Sequence, residues 1–201
     1  MDNKQRITEE AAVLFRTYGI RAVTMDMLAS QMGISKRTIY ETFHDKDEIL
    51  QEVLVLMKTR QVALISKILK DSGNVIEAIF KIIDHMMDHF RNMSPAFQMD
   101  IKRYHNEFLR ETERSSTMSY YRSNIEILNM GIKEGLFRQD LNVEITNIYM
   151  TEVLRMINDR ELFPPDYFLQ KDILRNIFIS FLRGISTIKG IENIDKYDKI
   201  Q

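Results

Sequence analysis

The sequence predicts an all-α fold, a small three-helix head followed by a larger helical bundle, and three observations predict it. Apolar residues recur at spacings of three and four along nearly the whole chain, and no stretch alternates apolar and polar over a useful length. Pro (3) and Gly (7) are also scarce in 201 residues, whereas a turn-rich β protein needs more of both. A disordered chain would not carry 44% hydrophobic residues.

Residues 4 to 18 place Ile7, Ala11, Leu14, Phe15 and Tyr18 on one helical stripe, and Gly19 follows where a helix commonly ends. Thr24 then stands as N-cap before "MDMLASQM", with Met25, Leu28, Ala29 and Met32 as the inner face. Gly33 supplies a left-handed C-cap, Ile34 can fill the angle between helices, and Ser35 caps a third helix expected to run to about Phe43. Ile39 and Phe43, four apart, point inward. Asp45 with Glu48 three residues on resembles a capping box and opens a fourth helix reaching toward Leu69. Helical periodicity continues over 75–91, 96–114, 117–133, 143–160 and 167–189, broken by "NMSP", "SS", "EGLFRQDLN" and "LFPPD". The expected organisation is a head at 1–46, a helical effector-binding and dimerisation domain at 47–190 and a flexible charged tail at 191–201.

Composition excludes several function classes. No apolar run approaches the roughly 20 residues that span a bilayer, and acids interrupt the N-terminus, so the expectation is a soluble, cytoplasmic protein. The absence of cysteine excludes disulfides, thiolate catalysis and Cys-based zinc sites. The net charge of −1 gives nucleic acid no bulk attraction, and residues 20–46 hold four basic side chains against three acids. Any DNA contact must come from placement.

Placement is where residues 24–46 are informative. Two short helices joined by a tight glycine turn form a helix-turn-helix, which sets the start of its second helix against base edges in the DNA major groove. Lys36 and Arg37 can donate to guanine O6 and N7, and Thr38 can offer a hydroxyl or a methyl to a thymine. Thr24, Tyr40 and Lys46 then fall to phosphates, which fix register rather than sequence. Ser35, Thr42 and His44 lie close by.

The stretch "TMDMLASQMGISKRTIYETFHDKDEIL" resembles the DNA-binding signature of the tetracycline-repressor (TetR) family of bacterial transcription regulators. The likeness lies in a Thr-capped helix, a Gly-aliphatic-Ser turn, Thr-aliphatic-Tyr in the recognition helix, then Phe and a Lys-acid-acid-aliphatic run. It covers roughly residues 4 to 55. The resemblance implies a three-helix DNA-binding head, a helical body that binds a small ligand, and a homodimer that usually represses. It places the family's base-reading positions on Lys36, Arg37 and Thr38 and its phosphate contacts on Thr24, Tyr40 and Lys46. Two positions depart from the pattern. Thr42 stands where the family often has His or Tyr, and Glu41 sets an acid near the DNA surface, where pairing with an arginine or with water is the expected outcome.

One head offers too few contacts for firm specific binding, so a second copy is required. The candidate surface combines Tyr149, Val153 and Ile157 with Ile177, Phe178, Phe181, Gly184 and Ile185, on helices carrying more apolar residue than one buried stripe needs. The family's dimerisation through its two C-terminal helices agrees. The Met- and aromatic-rich middle of the chain, notably Met86, Met87, Phe90, Phe97, Tyr104, Phe108, Met118, Tyr121 and Met130, suits an apolar pocket for an unknown small-molecule effector. His85 and His89 share a helical face at metal-ligand spacing. Met86 stands where an HExxH motif needs glutamate, and only His105, Glu107 or another distant acid could add a third ligand, so neither a metal nor a cofactor is expected. No phosphate loop, nucleophile elbow or acid pair points to an enzyme. The rival reading is a helical protein-interaction module with a scaffold-only head.

Overall fold

A computed structural model describes residues 2–104, 122–157, 159 and 161–198. The described elements are helical: α1 (Asn3–Tyr18), α2 (Met25–Met32), α3 (Lys36–Tyr40), α4 (Lys46–Asp71), α5 (Val75–Arg91), α6 (Pro95–Tyr104), α7 (122–133), α8 (Val143–Ile157), α9 (Gln170–Ile173), a π-helical segment π1 (Leu174–Ile179), α10 (Ser180–Ile185) and α11 (Ile188–Asp198). The chain forms two compact units, one drawn from residues 1–64 and 85–116 and the other from 65–84 and 117–201. Among the described residues the one β-like feature is an isolated antiparallel pair, Phe137 with Ser186.

The first unit is built on α1. Its inner stripe, Ile7, Ala11, Leu14 and Phe15, is buried against Leu28, Ile39, Phe43, Ile49 and Val53. Each entry and exit of the glycine-broken helix pair is satisfied locally. Thr24 Oγ1 accepts from Met27 N–H at 3.1 Å, and Ser35 Oγ from Thr38 N–H at 3.1 Å. Gly33 adopts φ 64, ψ 32; its N–H donates to Ser30 O while Ile34 N–H donates to Ala29 O, the paired bonds of a Schellman end. Asp45 Oδ1 accepts from Glu48 N–H as in a capping box, while the Glu48 carboxylate reaches one residue past the cap and accepts from His44 N–H. The third helix is shorter than expected. Regular α geometry stops at Tyr40 and a turn carries the chain on, although Phe43 N–H still reaches Ile39 O at 2.9 Å.

The head expected over 1–46 lies inside this larger unit, whose core also takes in α6. Phe97 is completely buried with the α1–α4 residues, and Ser94 links the two segments by donating its N–H to Arg16 O. Asp100 accepts from Arg21 N–H at 2.9 Å and lies 3.6 Å from its guanidinium. Gly19 (φ 87) makes that approach possible, since a Cβ there would meet Ala96 Cβ at 2.9 Å and Asp100 Oδ2 at 3.0 Å. On α5, the rings of His85 and His89 stack at 6.4 Å. Burial, then the Arg16 charge, then His85 push the His89 pKa below the ordinary histidine value.

The second unit packs the start of α5 (Val75, Ile76, Phe80) with α7, α8 and the C-terminal helices. Ile173 and Phe178 are both buried although five residues apart, a spacing that keeps one helical face only if the helix widens. π1 supplies that widening between α9 and α10, and Asn176 Nδ2 donates to Asp172 O. The expectation of a flexible tail at 191–201 is corrected by α11, which runs through residue 198. Its charges are not loose: Arg183 pairs with Asp195 and Arg175 with Asp198. Tyr197 stacks on Phe80 at 5.7 Å, and Thr187 Oγ1 caps the helix by accepting from Gly190 N–H. The low hydrophobicity of this segment hid a helix whose one fully buried apolar side chain is Ile194.

Two substitutions and a titration test this packing. Phe97→Ala should destabilise the protein by about 3–5 kcal/mol in urea unfolding. Gly190→Ala should cost about 1–3 kcal/mol or more, because the new Cβ would lie 2.1 Å from Leu136 O, a backbone atom. For His89 the folded-state pKa is the depressed one, so its contribution is present above the unfolded value near 6.5 and is lost as pH falls through the folded value. Thermal melts of wild type should therefore fall on acidification below about pH 6.5, and His89→Gln should reduce that fall.

Candidate nucleic-acid interface

α3 has five residues, fewer than two turns, and its inner side chain Ile39 is fully buried. What remains outside is a compact polar face. Lys36, Arg37, Tyr40 and Ser35 are exposed, and Thr38 and Thr42 are half-buried beside them. Tyr40 stands 48% exposed, a large ring held out by a helix whose other side is anchored.

These side chains are held by neighbours rather than left loose. Lys36 Nζ donates to Asp26 Oδ2 on α2 at 2.8 Å, and this hydrogen bond raises the lysine's pKa above its ordinary value. Arg37 Nε donates to Glu41 Oε1 at 3.0 Å, so the acid at position 41 is arginine-paired, as expected. The hydroxyls of Ser35 and Thr38 lie 2.9 Å apart, and Thr42 Oγ1 donates to Thr38 O. Both ion pairs are solvent-exposed and therefore contribute little to stability. A phosphate or a base edge can replace either carboxylate without loss of a buried partner.

Lys46 is placed differently from the others. Its ammonium donates to Ile20 O at 3.1 Å and Val23 O at 3.2 Å, so two of its three donors close the α1–α2 connection just before Thr24. Thr24 and His44 are exposed. Positions 24, 36, 37, 38 and 40 thus belong to one helix-turn-helix and share a unit with Lys46 at the start of α4, which is half-buried and structural as well as basic.

Sequence reasoning missed Asp26 and Asp100. Asp26 carries no periodic signal, being an ordinary first-turn acid of α2. Asp100 had one: it falls three residues after Phe97 and one before Ile101, on the inner side of α6, where an unpaired acid would not be tolerated. Its partner is Arg21, next to the helix-turn-helix.

The residues expected to line a pocket divide. Phe97 is corrected: it fills the core of the first unit and has no exposed wall to offer a ligand. Met86, Met87 and Met130 are half-buried. Phe108, Met118 and Tyr121, together with the side chains of Phe90 and Tyr104, lie outside the described residues. Among the described residues no three His, Asp or Glu side chains gather as a metal would need.

The expected dimer surface divides too. Val153, Ile157, Phe178, Phe181 and Ile185 are buried within the second unit, where α8 packs on π1, and so serve that unit's own core. Tyr149 and Gly184 are exposed and Ile177 is half-buried. The apolar excess lies one face over on α8, at Ile145, Ile148, Tyr149 and Met156, all exposed. Helical period alone located the stripe and could not choose between the two faces.

Comparison with known proteins agrees with this geometry. The profile of the family described as bacterial regulatory proteins, tetR family, matches residues 7–53. The chain is 28% identical over 198 residues to the uncharacterized HTH-type transcriptional regulator YhgD of Bacillus subtilis, covering 92% of this chain and 98% of that protein. It is 25% identical over 146 residues to the HTH-type transcriptional repressor KstR2 of Mycobacterium tuberculosis, covering 69% and 71% of the two chains. A crystal structure of a putative transcriptional regulator from Saccharomonospora viridis in complex with choline shares the fold, with a TM-score of 0.71 at 17% identity over 92% of this chain and 97% of that one. Among the described residues no helix is long and apolar enough to cross a membrane. The glycine-turned helix pair and its caps give residues 7–53 the DNA-binding head of the tetR family of bacterial regulatory proteins, and the all-α body shares the fold of such regulators.

Proposed function

We propose that the chain is a cytoplasmic homodimeric repressor that leaves its operator when a small apolar or aromatic effector binds its C-terminal domain. The observation that carries the DNA half is the outward face of α3, whose Ser35 cap and buried Ile39 hold Lys36, Arg37, Thr38 and Tyr40 in one short, rigid presentation. Lys36 and Arg37 exchange Asp26 and Glu41 for guanine edges, and Thr38 meets an adjacent base. Thr24, Tyr40 and the remaining donor of Lys46 take phosphates, with Ser35, Thr42 and His44 at the margin. Two heads on a two-fold axis reach half-sites about 34–36 Å apart. The second copy covers the exposed α8 stripe at Ile145, Ile148, Tyr149 and Met156, with Gly184 permitting close approach.

The effector half rests on composition and on relatives. The half-buried Met86, Met87 and Met130 offer adaptable apolar surface. A neighbour in fold was crystallised with choline, and KstR2 is named a repressor. Effector binding shifts α4 and changes the spacing of the two heads. For release it must favour the DNA-incompetent arrangement by about 1–3 kcal/mol, the usual scale of coupling between sites. The proteins it resembles are regulators, and the reading assigns the chain no catalytic step.

Gel shifts with the DNA upstream of the protein's own gene test the assignment. The Arg37→Ala, Tyr40→Ala double variant should bind about 30-fold more weakly or worse, with an unchanged far-UV spectrum. Equal binding by both proteins would remove α3 as the reading element. With about six phosphates contacted by a dimer, log affinity should fall with log salt at a slope of about −5. A nearly flat response would favour an apolar protein partner over DNA.

A further inference from the structure

The segment joining α8 to α9 has local order and an unusual outer face. Asp159 Oδ1 accepts from Glu161 N–H at 2.8 Å and Leu162 N–H at 3.2 Å. Pro164 O accepts from the N–H groups of Tyr167 and Phe168, and the rings of Phe163 and Phe168 meet edge to face at 5.5 Å. Gln170 Nε2 reaches back to Ile157 O, so the end of the loop is tied to the end of α8. A loop closed this way would be expected to turn its apolar side chains inward. Instead Leu162 is 58% exposed, Tyr167 83% and Leu169 60%, with Phe168 exposed beside them.

We propose that this loop, residues 161–169, is an interaction knob that packs against a second copy of the chain and extends the dimer surface beyond α8. The inference rests on the dimer reading above. Continuity is the first argument: the exposed α8 stripe ends at Met156, one residue before the helix ends and the tied loop begins. Area is the second. A standard interface takes about 800 Å² per partner, more than the four partly exposed α8 side chains supply, and the four exposed loop side chains roughly double the apolar surface on offer. Charge removes one alternative occupant: residues 158–169 hold Asp159, Glu161 and Asp166 against Arg160, a net negative loop that an anionic bilayer would repel. The same charge keeps the loop from facing its own copy across a two-fold axis, so the knob seats on the partner's uncharged α8 stripe.

Sedimentation equilibrium on the full chain tests this with two variants, Tyr167→Ser with Leu169→Ser in the loop and Ile148→Ser with Tyr149→Ser on α8. All four positions are exposed, so the fold of the single chain should survive, as far-UV spectra will report. The loop variant should raise the dimer dissociation constant about tenfold or more. A loop variant as dimeric as wild type, beside an α8 variant that dissociates, overturns the knob and leaves the dimer standing. A monomeric wild type, or no effect of either variant, overturns the dimer reading itself. Tyr167→Trp adds a direct reporter, since the chain has no tryptophan of its own. Its emission should be blue-shifted in the dimer and move red as dilution separates the copies. An emission maximum that stays red at concentrations where the protein is dimeric, or that shifts only on adding phosphatidylcholine vesicles, overturns the proposal.

Discussion

Anchoring of a helix too short to stand alone is the constraint on which the rest depends. Five residues cannot hold α geometry in water, because nucleation costs more than one or two bonds return. α3 therefore exists only because Ile39 and the following Phe43 are fully buried in a core that α1, α4 and α6 complete. The polar face inherits its rigidity from that core. Phe97 and Asp100 on α6 are part of the same support: one fills the core and the other fixes the chain at Arg21, three residues before the Thr24 cap.

Electrostatics around the head follow a consistent division. Carboxylates that face water, Asp26 and Glu41, hold the Lys36 and Arg37 side chains in exposed pairs. The acid that is buried, Asp100, is committed to a backbone amide and a guanidinium and is not exchangeable in the same sense. Lys46 spends two donors on loop carbonyls. The head thus separates fixed charges, which set its shape, from loosely held ones, which a nucleic acid can capture at little cost.

Local chemistry was legible in the sequence where one residue decides the outcome. Thr24, Gly33 and Ser35 were readable as caps because a hydroxyl or a positive φ has a known place at a helix end. Ile39 and Phe43 were readable from spacing. Assignments that depend on which distant segment covers a face were not: Phe97 looks the same in a core as in a pocket, and Val153, Ile157, Phe178, Phe181 and Ile185 look the same facing a partner as facing their own unit. α11 escaped because one buried isoleucine and one aromatic stack, rather than a broad apolar stripe, hold it, with partly exposed ion pairs fixing its charges.

The docking of α11 carries a kinetic consequence. Tyr197 bonds to Glu77 across 120 residues, and Thr187 donates to Gly135 O across 52. Closing loops of that length carries an entropic cost that is recovered only once the far surfaces exist, so the contacts of this helix with Glu77 and Gly135 are expected to form late. Loss of that docking would uncover Phe80 and the 135–137 turn, the surfaces through which this unit would become open to proteases and to wrong partners.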